Sequence, residues 1–207
     1  MNEKYVINIG RQLGSGGRII GKKLAESLGI SFYDKELIGI TAKESGLGKE
    51  FFEKADEKTK FGFFGTLLGL VSGVGGEGYT DNYLQNETLF KIQSDVIREL
   101  AEKNSCVFVG RCADYILRNH PRCVNIFVCA DPGDRIERIV EYEKISPDKA
   151  RSMVERVDKQ RTNYYNYYTG KEWGVAASYH LCINTSLLGI EKTTEYIRSY
   201  VASRLEI

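Results

Sequence analysis

A glycine-rich loop set between an apolar run and an amphipathic stripe constrains this chain more than any other feature. Tyr5 to Ile9 reads as a β-type run, Gly10-Arg-Gln-Leu-Gly-Ser-Gly-Gly-Arg18 comes directly after it, and Ile20, Leu24 and Leu28 then share one helical stripe. Gly14, Gly16 and Gly17 thus stand between strand and helix. There, backbone N–H groups with no side chain in the way can converge on an anion, and the helix dipole adds to the attraction. The order strand, glycine loop, helix points to a phosphate-holding loop; its plainer alternative is a tight turn.

The rest of the chain continues the same alternation. Gly29 closes the first helix, Ile30 to Tyr33 supplies a second short strand, and the Asp34 carboxylate can cap the next helix. Thr80 to Lys103 reads as one long helix, with Leu84, Thr88, Ile92 and Val96 recurring every four positions. Three further strands are expected at Cys106 to Val109, Val124 to Cys129 and Leu181 to Ile183, separated by helical sequence. Strands that are nearly all apolar and alternate with helices form a parallel sheet covered on both faces, a three-layer α/β/α arrangement. Ligands of such sheets bind beyond the carboxyl ends of the strands. Arg11, Asp34, Arg111, Asp131 and Thr185 all lie just after strands.

A chain of 207 residues fits one domain with room for an insertion. With 29 basic against 28 acidic residues, no overall field favours nucleic acid or an anionic membrane, so an anion site must come from local clustering. The five cysteines contain no CxxC pair and three sit in or beside apolar runs, which reads as buried thiols in a reducing cytoplasm. Met1 to Lys4 leads straight into a strand pattern rather than a long apolar stretch, again as expected of a cytoplasmic protein. The longest apolar tract, Phe61 to Gly76, carries six glycines and is shorter than a membrane span. Phe61 to Tyr79 reads instead as a cover over a pocket or as an oligomer contact, possible grounds for a homodimer. His120 and His180 lack metal-ligand spacing and receive no role.

The first loop departs from the standard pattern. Where a P-loop carries Lys and then Ser or Thr, for the β/γ-phosphates and Mg2+, this chain has Gly17 and Arg18. Arg18 can replace the lysine's charge with a different reach, or be an exposed first-turn residue. Ser15 is the loop hydroxyl left for a metal. Further along, Arg151, Asp158 and Arg161 are spaced seven and three apart and so share a helical face, which suits a transferring phosphoryl group; the bland alternative is a solvated helix. The aromatic run Tyr164 to Tyr168 and Trp173 fits packing of a return segment better than base stacking. Asp131 and Asp134 fit the start of a helix better than a metal site.

Across nearly its whole length the chain resembles the cytidylate kinase-like proteins, a branch of the nucleoside monophosphate kinases with a variant P-loop. The resemblance runs through Arg11-Gln-Leu-Gly-Ser-Gly-Gly-Arg18, Phe32-Tyr-Asp-Lys-Glu-Leu-Ile38, Val109-Gly-Arg111, Ile126-Phe-Val-Cys-Ala130, Asp158-Lys-Gln-Arg161 and Ile183-Asn-Thr-Ser186. It implies a P-loop NTPase-type fold with a five-stranded parallel sheet ordered 2-3-1-4-5, ATP as donor, Mg2+ and as acceptor a nucleoside monophosphate, cytidylate-like, or a similar small phosphate. It further implies an acceptor-side insertion at 48–80 and a lid-like segment at 146–170. On that footing Arg11, Gly14, Ser15, Gly16, Gly17 and Arg18 hold the donor phosphates. Asp34, Arg111, Asp158 and Arg161 hold the acceptor, while Arg18, Arg151 and Arg161 act on the group in transfer. Residues 48–81 show no match to a cytidylate acceptor domain, which leaves a kinase of a non-nucleotide acceptor as an alternative, and Gly17 in the lysine position leaves another, nucleotide binding without transfer.

Overall fold

The computed structural model describes residues 3–35, 37–38 and 83–207, with the side chains of 83–86 excepted. The chain divides into two compact units, one of Met1–Lys35 with Ile97–Ile207 and one of Glu36–Val96. Much of the second unit, including the expected insertion at 48–80 and the Phe61 to Tyr79 cover or dimer contact, lies outside the described residues. Its described part is chiefly helical, with Ile92 and Val96 buried and the Ser94 hydroxyl returned to the Phe90 carbonyl at 2.7 Å.

The first unit holds the sheet. Strands β1 (Val6–Arg11), β2 (Ser31–Tyr33), β3 (Cys106–Val109), β4 (Cys123–Cys129) and β5 (Leu181–Asn184) pair in parallel, in the order β2-β3-β1-β4-β5. The sheet order implied by the resemblance is therefore the observed one. Helix α1 (Gly17–Leu28) follows β1, α2 (Tyr83–Lys103) precedes β3, and the short α3 (Ala113–Ile116) follows it. Helices α4 (Pro132–Glu143) and α5 (Pro147–Thr169) separate β4 from β5, and α6 (Gly189–Leu205) closes the described chain. Among the described residues no helix is long and apolar enough to cross a membrane.

The periodicities account for this arrangement. One face of the sheet presents Ile7, Ile9, Val107, Val109, Val124, Ile126 and Val128 to Ile20 and Leu24 of α1 and to Ile197, Val201 and Leu205 of α6. Burying each such side chain stabilises the fold by roughly 1.5–3 kcal/mol, so this layer fixes where β1 ends relative to α1. Gly29 ends α1 in a left-handed conformation, its N–H bonded to the Ala25 and Glu26 carbonyls. Helix α5 starts at a Ser146 cap, stops at left-handed Gly170, and packs against α4 through Ile139, Ala150 and Val154. From β1 the chain turns towards β2 on one side of the sheet, and from β4 towards β5 on the other. The carboxyl ends of the adjacent β1 and β4 thus diverge, and the crevice of a doubly wound sheet lies there.

Candidate phosphate site at the carboxyl end of the sheet

The loop from Gly10 to Gly17 crosses that crevice with its two sides treated differently. Every carbonyl from Arg11 to Ser15 has a partner. Arg161 Nη1 donates to Arg11 O at 3.0 Å, the Ser15 hydroxyl to Gln12 O at 2.8 Å and Arg135 Nε to Leu13 O at 2.7 Å. Arg138 Nη1 donates to Gly14 O at 3.1 Å and the Thr185 hydroxyl to Ser15 O at 2.9 Å. The amides of Gly14, Gly16 and Ile19, by contrast, find no hydrogen-bond partner among the described residues. Gly14 and Gly16 have φ of 77° and 81°, left-handed values that glycine adopts without a Cβ penalty. A run of outward carbonyls and free amides at a helix N-terminus is a concavity for an anion.

Asp158 organises the outer side. Its Oδ1 accepts from the Leu13 N–H at 2.9 Å and lies 3.6 Å from Arg161 Nη1, while its Oδ2 pairs with Arg135. Sequence reasoning missed Arg135 and Arg138 altogether. They sit three apart on α4, directly after β4, and both reach back to the loop. Their position just past a strand end was the available signal. Gln12 adds a tie of its own, its Oε1 accepting from Ala130 N at 3.3 Å.

The remaining candidates divide clearly. Arg18 donates to Asp34 Oδ2 through Nε at 2.8 Å and pairs with it through Nη2 at 2.6 Å, so Asp34, which directly precedes the helical residues beginning at Lys35, also holds a guanidinium. Arg111 stands in a left-handed turn, Gly110-Arg111-Cys112 with φ of 80°, 61° and 55°, and its guanidinium lies 5.5 Å from the Tyr164 ring centre. Two consecutive non-glycine residues in that region cost about 1–2 kcal/mol each, the kind of strain that clusters at functional sites. Arg151 does not join the others: it is exposed and its side chain makes no hydrogen bond or ion pair with a described residue. It lies two helical turns before Asp158, so a shared face gives no shared place along the axis. The Ser15 hydroxyl is fully buried, donating to Gln12 O and accepting from Gly17 N at 3.4 Å, so it closes the loop on itself.

Electrostatics set Arg11 apart. Burial lowers its pKa well below the ordinary arginine value, and the neighbouring Arg161 and Arg111 guanidiniums lower it further. Arg161 is also lowered, first by burial. Cations crowded this way, with Asp34 and Asp158 already paired, create a field that an anion relieves.

Elsewhere the aromatic segment packs as expected. Trp173 meets Phe127 edge-on at 5.2 Å and Tyr165 is buried, its hydroxyl donating to Asp114 at 2.7 Å. His120 and His180 each accept a backbone N–H through Nδ1. All five cysteines are free, and burial pushes the Cys106, Cys112 and Cys123 thiols up to about 12.

Comparison with known proteins identifies the lineage. The family model of the cytidylate kinase-like family matches residues 6–187. The chain belongs to the cytidylate kinase-like family. A cytidylate kinase of Pyrococcus horikoshii is 28% identical over 186 residues, covering 89% of this chain and 81% of that protein. A crystal structure of an uncharacterized protein from Eubacterium ventriosum superposes with a TM-score of 0.72 at 28% identity, over 97% of this chain and 99% of that one. The shikimate kinase of Acinetobacter baumannii, solved with shikimate, shares the fold at TM-score 0.51 and 14% identity, covering 98% and 95% of the two chains. The family match spans the first loop, the Gly110-Arg111 turn and the Asp158 and Arg161 pair.

Proposed function

We propose that this member of the family transfers the terminal phosphoryl group of ATP to a nucleoside monophosphate, with cytidylate the first acceptor to try. The observation that carries the reading is the first loop's inner side, where free amides meet a crowd of arginines beyond the carboxyl ends of β1 and β4. The name of the archaeal relative supports the choice of acceptor. In the transfer, an anionic oxygen of the acceptor phosphate attacks the γ-phosphorus and the bond to the β,γ-bridging oxygen breaks. ADP leaves and the acceptor becomes a diphosphate. The attacking oxygen is already ionised, so no general base is needed, and the protein's task is positioning and charge stabilisation.

The loop amides take the donor phosphates, with the arginines beside them. Arg111 and Arg161, on the turn after β3 and on α5, take the acceptor phosphate. Asp158 holds Arg161 and the loop in register, and the Arg18–Asp34 pair borders the acceptor side. Mg2+ does not fit a protein-held position among these residues. Both aspartates are bound by arginines and the Ser15 hydroxyl is spent within the loop. A magnesium ion would arrive on the donor phosphates.

The test is ADP formation by purified protein with ATP, Mg2+ and a panel of monophosphates, beside an ATP binding titration. Turnover that requires an acceptor supports the proposal. Tight ATP binding without turnover under any acceptor replaces transfer with nucleotide binding alone, the alternative that Gly17 in the lysine position suggests.

A further inference from the structure

Gly17 is not simply an absent lysine. A Cβ built on it would lie 2.5 Å from Arg11 Cβ and 3.1 Å from Arg11 Cγ, with Val128 Cβ at 3.3 Å. The space that a side chain at position 17 would enter is already filled by the stem of Arg11. Further out, the guanidinium lies across Gly110, so closely that a Cβ there would overlap it. Gly110 is held at φ 80°, a second reason for glycine at the place where the arginine passes. Two glycines in two loops therefore make room for one side chain.

What that side chain does is conspicuous by its lack of partners. Among the described residues Arg11 makes no side-chain hydrogen bond and no ion pair, although Arg18 and Arg135 close by each have an aspartate. The charged groups that act on it are the Arg161 and Arg111 guanidiniums and, more weakly, Asp34 and Asp158. A guanidinium carries five donors and stays charged even when its pKa falls. Leaving them unmet in a half-buried site is costly unless a ligand supplies the acceptors.

We propose that Arg11 is the cation this loop uses in place of the customary lysine: its stem occupies the space beside Gly17, and its guanidinium, lying across Gly110, takes the terminal phosphates of the donor. The inference rests on the phosphate-holding reading of the loop. It reassigns that charge from Arg18, which is committed to Asp34. It also explains why glycine and not lysine follows Gly16, since the two solutions exclude each other sterically.

The test is a set of exchange variants titrated calorimetrically with inorganic tripolyphosphate and with ATP, each checked by thermal melting. Arg11→Met keeps the packing on Gly17 and removes the charge. It is expected to weaken both ligands about tenfold or more, as for loss of a charge-assisted contact, without lowering the melting temperature. Gly17→Lys alone is expected to lose binding, because the new Cβ meets Arg11. The double variant Arg11→Gly/Gly17→Lys, which removes the Arg11 Cβ that the new Cβ would meet, rebuilds the ordinary arrangement and is expected to bind both ligands better than Arg11→Gly. Wild-type affinity in Arg11→Met, or a double variant no tighter than Arg11→Gly, overturns the proposal while leaving ATP as donor intact. Arg11-dependent binding of tripolyphosphate without binding of ATP keeps Arg11 in its role and removes the ATP reading. Absence of binding to both ligands in the wild type removes both.

Discussion

The two sides of the first loop are built from the same short run of residues and could hardly be more different. Its carbonyl rim is saturated: Arg135, Arg138, Arg161 and Thr185 each spend a donor on it, and Asp158 ties two of those arginines together. Its amide side keeps N–H groups and the Arg11 guanidinium without a partner among the described residues. Arginines thus serve two ends in one small region. Those that meet carbonyls and carboxylates hold the loop's shape, and those that meet neither among the described residues, Arg11 and Arg111, are available to a ligand. Charge count alone would have treated them alike; partner count separates them.

The contrast predicts that rim variants lose stability first and the inner-side variant loses affinity first. Asp158→Ala should have the largest effect. It leaves Arg135, only 8% exposed, without its counter-charge and the Leu13 amide without its acceptor, a loss of about 3–5 kcal/mol. Urea denaturation at neutral pH measures it. A loss under about 1 kcal/mol, the range of exposed pairs, would show that the rim is not a buried structural network.

Much of this architecture was readable from the chain, and the part that was not shares one cause. Strand and helix limits came close: β3 matches its expected bounds, β4 begins one residue earlier and β5 ends one later. Apolar runs and glycines report local conformation directly. Arg135 and Arg138 escaped because an arginine pair on a polar helix face looks the same whether it faces water or a loop more than a hundred residues away. Asp34 does stand directly before helical residues, as a cap would, but its pairing with Arg18, brought close by the β1–α1–β2 crossover, has no local signal. Helical spacing grouped Arg151 with Asp158 and Arg161 but is blind to the distance along the axis. For Arg11, sequence placed the residue in the loop and gave no sign that its stem displaces a lysine.

Thr185→Val sharpens the same contrast at a smaller scale. Thr185 is fully buried, donates to the Ser15 carbonyl and accepts from Arg138. Valine has a similar volume but neither function, so a buried carbonyl loses its partner, at about 1–3 kcal/mol. If the rim acts only through loop geometry, tripolyphosphate affinity measured well below the melting transition falls far less than in Arg11→Met. Equal loss in the two variants would merge rim and inner side into one unit.

The smallest effect probes the turn that brings Arg111 to the same crevice. Glycine and alanine both delete the guanidinium and its contact with Tyr164, so the difference between Arg111→Gly and Arg111→Ala reports the backbone alone. At φ 61° alanine keeps the steric penalty that glycine escapes, while glycine gives up some chain entropy. The glycine variant should therefore be the more stable by roughly 0.5–1 kcal/mol, with both variants equally impaired in saturation by a monophosphate acceptor. Chemical denaturation beside acceptor titration separates the two readouts. Equal stability would mean that the left-handed turn relaxes once the arginine is gone, making the side chain the cause of the strain. A glycine variant that is more stable yet loses its acceptor identifies Arg111 as a residue held in a strained turn for what it binds.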